Sequence, residues 1–312
     1  MSRSTFSRRQ FLHRSGLALC SLGLAGHAPC AAAIEPIKRQ GKPRLLLSLA
    51  AYSFRDFFKG AGGARKTDPS ARSIDMFDFV DYCAEHGCHG AEVTSYYFPK
   101  DVDHEWLLRL RRHAFLRGIA LSGTAVGNEF TSENEARHRE QIAHVKTWID
   151  RACLLGAPHI RIFAGNAQPD AKAKAMKQCI AAIQECADYA SSKGIFLGLE
   201  NHGGIVAEAA DLLEIIRAVN SPWVGINLDS GNFHSADPYE ELERCVPYAV
   251  NVQFKVEIQR RDQKKEPSDL ARLVKILRDA NYQGYFALEY EAAADPWKAV
   301  PEWLAKMRAA IG

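Results

Sequence analysis

The chain has 312 residues, of which 47% are hydrophobic and 25% are charged, a composition typical of a globular protein with a sizeable core. No apolar run reaches the ~18 residues of a membrane-spanning helix, so we expect no membrane insertion. The formal net charge is only +3, which argues against a nucleic-acid partner held by bulk charge.

The N-terminus carries the features of an export signal. Residues 7–12 read Ser-Arg-Arg-Gln-Phe-Leu, which resembles the twin-arginine motif, and a weakly apolar run at 16–26 precedes three alanines at 31–33. We therefore predict a signal peptide over residues 1–33 and a periplasmic or secreted protein. Residues 1–33 hold four of the 40 basic residues and no acidic one, which leaves 36 basic against 37 acidic, a net charge of −1.

Apolar strands alternate with amphipathic helices along residues 34–312. In chain order, strands are predicted near 45–54, 90–94, 119–126, 159–164, 194–200, 224–228, 249–254 and 285–288. The helices between them are predicted near 74–87, 103–117, 132–155, 170–193, 207–219, 239–245 and 267–277, with a last one around 297–307. Pro267 is expected to open the seventh helix, after a charged loop at 255–266.

Eight strand-helix units without an intervening linker predict a single α/β domain, a (β/α)8 TIM barrel, over residues 34–312. An open doubly wound sheet is the alternative. Such a sheet usually carries a glycine-rich phosphate loop directly after its first strand. The glycines at 60–63 lie too deep in a long loop for that role.

Four strands in the second half end in polar side chains, namely Glu200, Asp229, Gln253 and Glu289. The carboxyl ends of barrel strands share one rim, so these side chains should converge. Three carboxylates so close together would repel one another unless a divalent cation neutralised them. Ligation by oxygen alone favours a hard ion, so we expect Mn²⁺ first, with Mg²⁺, Co²⁺ or Zn²⁺ as alternatives.

Short motifs at these strand ends resemble the xylose isomerase-like barrel superfamily, which includes sugar isomerases, epimerases and 3-dehydroshikimate dehydratase. The motifs are Leu-Glu-Asn-His at 199–202, Leu-Asp-Ser-Gly-Asn at 228–232, Val-Gln-Phe-Lys at 252–255 and Leu-Glu at 288–289. The resemblance implies one divalent metal held by Glu200, Asp229, Gln253 and Glu289. It also implies that Glu200 and Glu289 flank the substrate.

Two carboxylates on opposite sides of a carbon next to a carbonyl can remove a proton and return it. Glu200 and Glu289 fit the roles of base and acid. His202 follows Glu200 by two residues and Lys255 follows Gln253 by two, so both are candidate catalytic residues. The alternatives are a histidine that caps the strand end and a solvated surface lysine.

Five further residues are candidate substrate contacts, each with a simpler alternative. Asn232 stands where the family commonly has histidine, and His234 follows two residues later, so either could contact substrate. Arg161 could grip a substrate oxygen or form an internal ion pair. Glu92 could be a polar contact or a salt-bridge partner, and Tyr96 could line a sugar pocket or simply pack.

The leading hypothesis is a metal-dependent isomerase or epimerase of a sugar or keto-sugar that works through an enediolate. A lyase that eliminates a β leaving group from a 3-keto-glycoside or dehydroshikimate-like substrate is the alternative. A non-catalytic sugar-binding barrel is a third hypothesis. We expect a small-molecule partner, no nucleic acid, and leave homo-oligomerisation open.

Overall fold

The computed structural model describes residues 34–59 and 72–312. Eight parallel strands close into a barrel, which confirms the predicted fold class. The barrel strands are β1 (Arg44–Ala50), β2 (Gly90–Thr94), β3 (Ala120–Ala125), β4 (His159–Ile162), β5 (Phe196–Glu200), β6 (Val224–Asp229), β7 (Ala249–Phe254) and β10 (Gln283–Leu288). Around the barrel their order is β1-β10-β7-β6-β5-β4-β3-β2.

Within the described residues, eight α-helices follow the barrel strands and cover the barrel on the outside. They are α1 (Met76–Glu85), α2 (His104–Leu116), α3 (Glu135–Leu155), α4 (Lys172–Lys193), α5 (Ala209–Val219), α6 (Pro238–Cys245), α7 (Leu270–Asp279) and α8 (Pro296–Ile311). Within the described residues, no helix has the length and apolarity that crossing a membrane requires. The predicted signal peptide at 1–33 and the glycines at 60–63 lie outside the described residues.

The local sequence explains where the helices begin and end. Asp75 caps α1 by accepting hydrogen bonds from the backbone amides of Phe77 and Asp78, as a short acidic side chain does at a helix start. α3 and α4 end at Gly156 and Gly194, which adopt the left-handed backbone conformation that glycine allows at a C-terminus. These signals, with the apolar periodicity, fix most element boundaries to within a few residues of the prediction.

The prediction was wrong in the segment after β7. Two short antiparallel strands, β8 (Glu257–Gln259) and β9 (Lys265–Pro267), form a hairpin where a charged loop was expected. Pro267 closes that hairpin instead of opening α7, and Asp269 caps the helix by accepting from the amide of Arg272. A three-residue strand with charged side chains has too little apolar periodicity to be recognised in sequence.

The inside of the barrel is polar at both ends. At the amino-terminal end, the hydroxyls of Ser48 and Ser122 lie 2.8 Å apart, and the Ser48 hydroxyl donates to the Gly90 carbonyl at 2.9 Å. The buried imidazole of His159 lies against Gly123, where any Cβ would overlap the ring. The carboxyl-terminal end, in contrast, gathers charged side chains.

Candidate active site at the carboxyl end of the barrel

The four predicted strand-end residues all lie at the carboxyl end of the barrel, and all are buried. Glu200 and Asp229 are the last residues of β5 and β6, Gln253 is the last but one of β7, and Glu289 follows β10. Their exposed fractions are 3%, 0%, 1% and 7%, respectively. The barrel brings β10, β7, β6 and β5 side by side, so one rim carries them.

The ammonium group of Lys255 lies among these side chains. Its Nζ is 3.1 Å from Asp229 Oδ2, 3.7 Å from Glu289 Oε1 and 2.9 Å from Glu291 Oε2. It also donates a hydrogen bond of 2.8 Å to Asn232 Oδ1. The side chain is only 12% exposed, so the predicted catalytic lysine is an interior cation and not a solvated surface residue.

A second interior cation, Arg161, pairs with Glu200. Arg161 Nε lies 3.0 Å from Glu200 Oε2, and both side chains are buried. The other carboxylate oxygen of Glu200 accepts a 2.9 Å hydrogen bond from Asn232 Nδ2. Arg161 also donates to the hydroxyl of Tyr96 at 3.2 Å, so Tyr96 stands at the edge of the site with 41% of its surface exposed. Asn232 therefore links Glu200 to Lys255.

A network of buried amides holds Gln253 in one orientation. Gln253 Nε2 donates to Glu92 Oε1 at 2.6 Å and to Glu289 Oε2 at 2.8 Å. Its carbonyl oxygen accepts from Asn227 Nδ2 at 2.6 Å. Asn251 donates to both Glu92 and Asn227, at 2.7 and 2.8 Å. The Glu92 carboxylate thus accepts from two amides beneath the site and has no salt bridge to a basic side chain among the described residues.

Burial shifts the carboxylates of the site towards their neutral forms. It raises the pKa of Glu200 to about 7 against the opposing charge of Arg161, and it raises that of Glu92 to about 7 as well. Burial also raises the pKa of Asp229, and that of Glu289 well above its ordinary range, although Lys255 opposes both shifts. Glu200 and Glu92, whose pKa values are raised to about 7, can therefore exchange protons near neutral pH.

The two cations stay charged in this environment. Burial by itself would lower the pKa of Lys255, but the charges of Asp229, Glu289 and Glu291 outweigh it and raise that pKa well above its usual value. Burial by itself would also lower the pKa of Arg161. The charge of Glu200 opposes this effect, and the pKa of Arg161 is raised above its usual value. The site therefore keeps two positive charges next to carboxyl groups whose protonated forms are favoured by burial.

As arranged, the predicted ligands do not fit a divalent metal. Within residues 34–59 and 72–312, no group of three or more His, Cys, Asp or Glu side chains is placed to hold one. Gln253 directs its amide nitrogen, and not its carbonyl oxygen, towards Glu289. The carboxylates of Asp229 and Glu289 lie next to the Lys255 ammonium, although Asp229 Oδ2 accepts no well-aligned hydrogen bond.

The two predicted histidines lie farther out. His202 is exposed, because β5 ends at Glu200 and the chain then turns, so strand alternation no longer directs its ring. The ring packs against Phe163, with 4.6 Å between the ring centres. His202 and His234 line a pocket of about 360 Å³ that Asn232 borders on the inner side. The structure places both in an outer pocket, and among the described residues no hydrogen bond or ion pair joins either ring to the buried carboxylates.

Sequence reasoning missed three buried amides and undervalued one carboxylate. Asn227 and Asn251 orient Gln253, and Asn201 exchanges two hydrogen bonds with the backbone of Asp229. Asn227 and Asn251 each precede a predicted ligand by two residues, so strand alternation could have placed them on the inner face. Glu291, which pairs with Lys255, follows Glu289 by two residues, and the sequence marks it only as one of the polar residues after β10.

Several solved structures share the fold of this chain. The D-psicose 3-epimerase of Clostridium cellulolyticum H10 has a TM-score of 0.65 and 13% identity, over 85% of this chain and 96% of that one. The 3-keto-D-glucoside 4-epimerase of E. coli has a TM-score of 0.64 and 16% identity, over 85% of this chain and 100% of that one.

The probable 3-DHS dehydratase of Bacillus anthracis is similar to the same extent, with a TM-score of 0.63 and 15% identity over 86% of this chain and 99% of that one. At these identities the likeness concerns the fold. No curated protein sequence matches the chain. The family model described as xylose isomerase-like TIM barrel matches residues 80–307, well over half of the sequence, and the chain belongs to that family.

Proposed function

We propose that this protein is an isomerase or epimerase of a sugar or keto-sugar and works through an enediolate intermediate. The observation that carries the proposal is a pair of buried carboxyl groups, Glu200 and Glu289, on strands separated by β6 and β7. Burial raises the pKa of Glu200 to about 7, so this group can be charged or neutral near pH 7, and it raises the pKa of Glu289 well above its ordinary range, which favours the protonated form. The two epimerases with the same fold agree with this reaction class.

The residues of the chain suffice to describe the proton transfers. One carboxylate removes the proton from the carbon next to the substrate carbonyl, and the electron pair moves to the carbonyl oxygen. The Lys255 ammonium can donate a hydrogen bond to that oxygen as its negative charge develops. The other carboxyl group returns a proton to the same carbon, which epimerises it, or to the adjacent carbon, which isomerises the sugar.

A lyase is the second candidate, and the outer pocket favours it. The space of about 360 Å³ beside Asn232 and His202 offers room for a group attached to the sugar. If that group is β to the carbonyl, the enediolate can expel it instead of taking back a proton. The similar structure named as a probable 3-DHS dehydratase agrees with elimination as a reaction of this fold.

One experiment separates these reactions. The purified chain is incubated in D₂O with unmodified ketoses and with 3-keto-glycosides, and the products are followed by NMR. Deuterium uptake with formation of an epimer or isomer supports the first proposal. Release of the attached group without an epimer supports the lyase. Sugar binding without turnover or deuterium uptake contradicts both and leaves a non-catalytic sugar-binding barrel.

Two further proposals follow from the sequence. We propose export by the twin-arginine route, so that the substrate is an unphosphorylated sugar met in the periplasm or outside the cell. Replacing both Arg8 and Arg9 by lysine should leave the chain in the cytoplasm, which cell fractionation measures. The sequence also predicts a metal ion, Mn²⁺ before Mg²⁺, Co²⁺ or Zn²⁺. Metal analysis of the purified chain decides between that prediction and the arrangement of side chains described above, which does not fit one.

A further inference from the structure

The sequence predicts that a divalent metal neutralises the carboxylates at the carboxyl end of the barrel. The structure points to a different source of positive charge there. We infer that the Lys255 ammonium takes the place of a divalent cation between Asp229 and Glu289, and that the site works without a bound metal. This inference rests on the proposed function for its chemical meaning. Its structural basis is independent of that function and consists of three observations.

The first observation is the position of Lys255. Its Nζ lies within 3.7 Å of oxygens of Asp229, Glu289 and Glu291, and the side chain is 12% exposed. A divalent ion bound by Asp229 and Glu289 would sit next to this ammonium and be repelled by it at short range. A metal ion and the lysine would therefore compete for the same oxygens. The lysine is part of the chain, so it is always present at the site, whereas a metal ion has to bind from solution.

The second observation is the orientation of Gln253. Its amide group donates to two carboxylates, Glu92 and Glu289, while its carbonyl oxygen accepts from Asn227. A reversed amide would set the carbonyl oxygen against both carboxylates and its NH₂ group against that of Asn227. The network thus makes Gln253 a hydrogen-bond donor in the site, whereas a metal ligand would need its oxygen to face inwards.

The third observation is that Glu200, the remaining predicted ligand, already has two partners. One carboxylate oxygen is 3.0 Å from Arg161 Nε and the other accepts from Asn232 at 2.9 Å. Asn232 in turn accepts from Lys255, so the two cations and the carboxylates form one connected arrangement. All four predicted ligands consequently have internal partners that a metal would displace.

An ammonium group can supply the stabilisation that the reaction requires. When the carbon–hydrogen bond breaks, the proton goes to a carboxylate and the electron pair to the carbonyl oxygen. Lys255 donates a hydrogen bond to that oxygen, as donors in oxyanion holes do. The step needs no oxidant or reductant, because the proton returns to carbon when the intermediate collapses.

Metal binding tests the inference directly. The full chain is purified, treated with EDTA and titrated with Mn²⁺ by calorimetry, alongside Lys255→Met. We expect at least about tenfold tighter Mn²⁺ binding by the variant, because Asp229, Glu289 and Glu291 lose the charge that neutralises them. Lys264→Met is the matched control, since it removes an exposed lysine from the nearby hairpin and should bind Mn²⁺ as the unaltered chain does.

Turnover provides the second readout. We expect the EDTA-treated chain to keep its full rate, and Lys255→Met to lose roughly 10²- to 10³-fold in kcat, the usual effect of removing an oxyanion donor. One metal ion per purified chain with activity lost on its removal would overturn the inference. So would Mn²⁺ binding by Lys255→Met no tighter than that of the unaltered chain.

The two proposals fail in distinguishable ways. If no sugar is turned over, the proposed function fails, yet the titration of the unaltered chain still decides whether Lys255 excludes the metal. If Lys255→Met does not fold, the metal content of the unaltered chain and its Mn²⁺ affinity decide alone. Tight, stoichiometric Mn²⁺ binding by that chain contradicts the inference in either case.

Discussion

The two ends of the barrel interior solve the problem of buried polar groups in opposite ways. At the amino-terminal end the polar groups are neutral at pH 7: Ser48 and Ser122 satisfy each other, and burial keeps the His159 imidazole uncharged. At the carboxyl-terminal end Glu200, Asp229 and Glu289 are buried around interior cations. One end is built for packing, and the other keeps charge in a place where charge is unfavourable.

This difference separates stability from chemistry. Burial raises the pKa of Glu200 and of Glu289, which means that the fold disfavours their ionised forms. Groups held in such a state contribute little to stability, and perturbed carboxyl groups in a cleft are typical of active sites. We therefore expect substitutions at the carboxyl end to change activity and substitutions at the amino end to change stability.

The largest expected effect is on turnover. Glu289→Gln should lower kcat by roughly 10²- to 10⁴-fold, the contribution of a positioned acid or base. The free energy of unfolding at pH 7 should not fall, because the fold already disfavours the ionised carboxylate. Steady-state kinetics and urea denaturation measure the two quantities.

Glu214→Gln, an exposed change on α5, is the matched control and should alter neither quantity. A Glu289→Gln protein that keeps its turnover, or that unfolds much more easily, would contradict the division between the two ends.

The second effect is a pH dependence of stability that originates at the amino end. Burial lowers the pKa of His159 from 6.5 to about 4. Between these values the unfolded chain binds the proton and the folded chain does not, so stability is complete above about pH 6.5 and falls as the pH drops towards 4. The loss should total about 3 kcal/mol.

Denaturation curves at several pH values measure this loss. The His159→Gln variant should show a shallower fall in the free energy of unfolding over the same interval, and the difference between the two curves isolates the imidazole from the carboxylates. Parallel curves would show that His159 does not titrate between folded and unfolded states as we expect.

A third change tests packing at the amino end. Gly123→Ala places a methyl group where the His159 ring lies, and should lower the free energy of unfolding by about 1–3 kcal/mol. The kcat of the folded protein should change little. Adding His159→Ala removes the ring, so the double variant should recover part of the loss attributed to the clash, which a double-mutant cycle quantifies.

The smallest effect is expected at the outer edge of the carboxyl end. Tyr96→Phe removes the hydroxyl that accepts a hydrogen bond from Arg161, and leaves the Arg161–Glu200 pair intact. Turnover should fall by roughly 2- to 10-fold with an unchanged unfolding midpoint. A loss of turnover as large as that of Glu289→Gln would contradict the position of Tyr96 at the edge of the site and indicate that it takes part in the catalytic step.

Sequence patterns predicted the barrel because each strand and helix carries its own periodicity, and the strand-end residues followed from the barrel. Glu200, Asp229, Gln253 and Glu289 could be assigned to one rim for that reason. The hairpin at β8 and β9 was missed, since three-residue charged strands carry almost no periodic signal. His202 was assigned inwards by alternation that stops where β5 stops.

The sequence by itself determined the eight-unit barrel and the end of it that carries charge, since apolar periodicity and strand polarity are local properties. Only the tertiary structure decided which ion pairs and hydrogen bonds each charged group makes. Lys255, Gln253 and Glu92 lie on different strands or loops, and Gln253 meets Glu92 across 161 positions of the chain. Hydrogen-bond direction and ion pairing depend on such distant neighbours, and no local pattern encodes them.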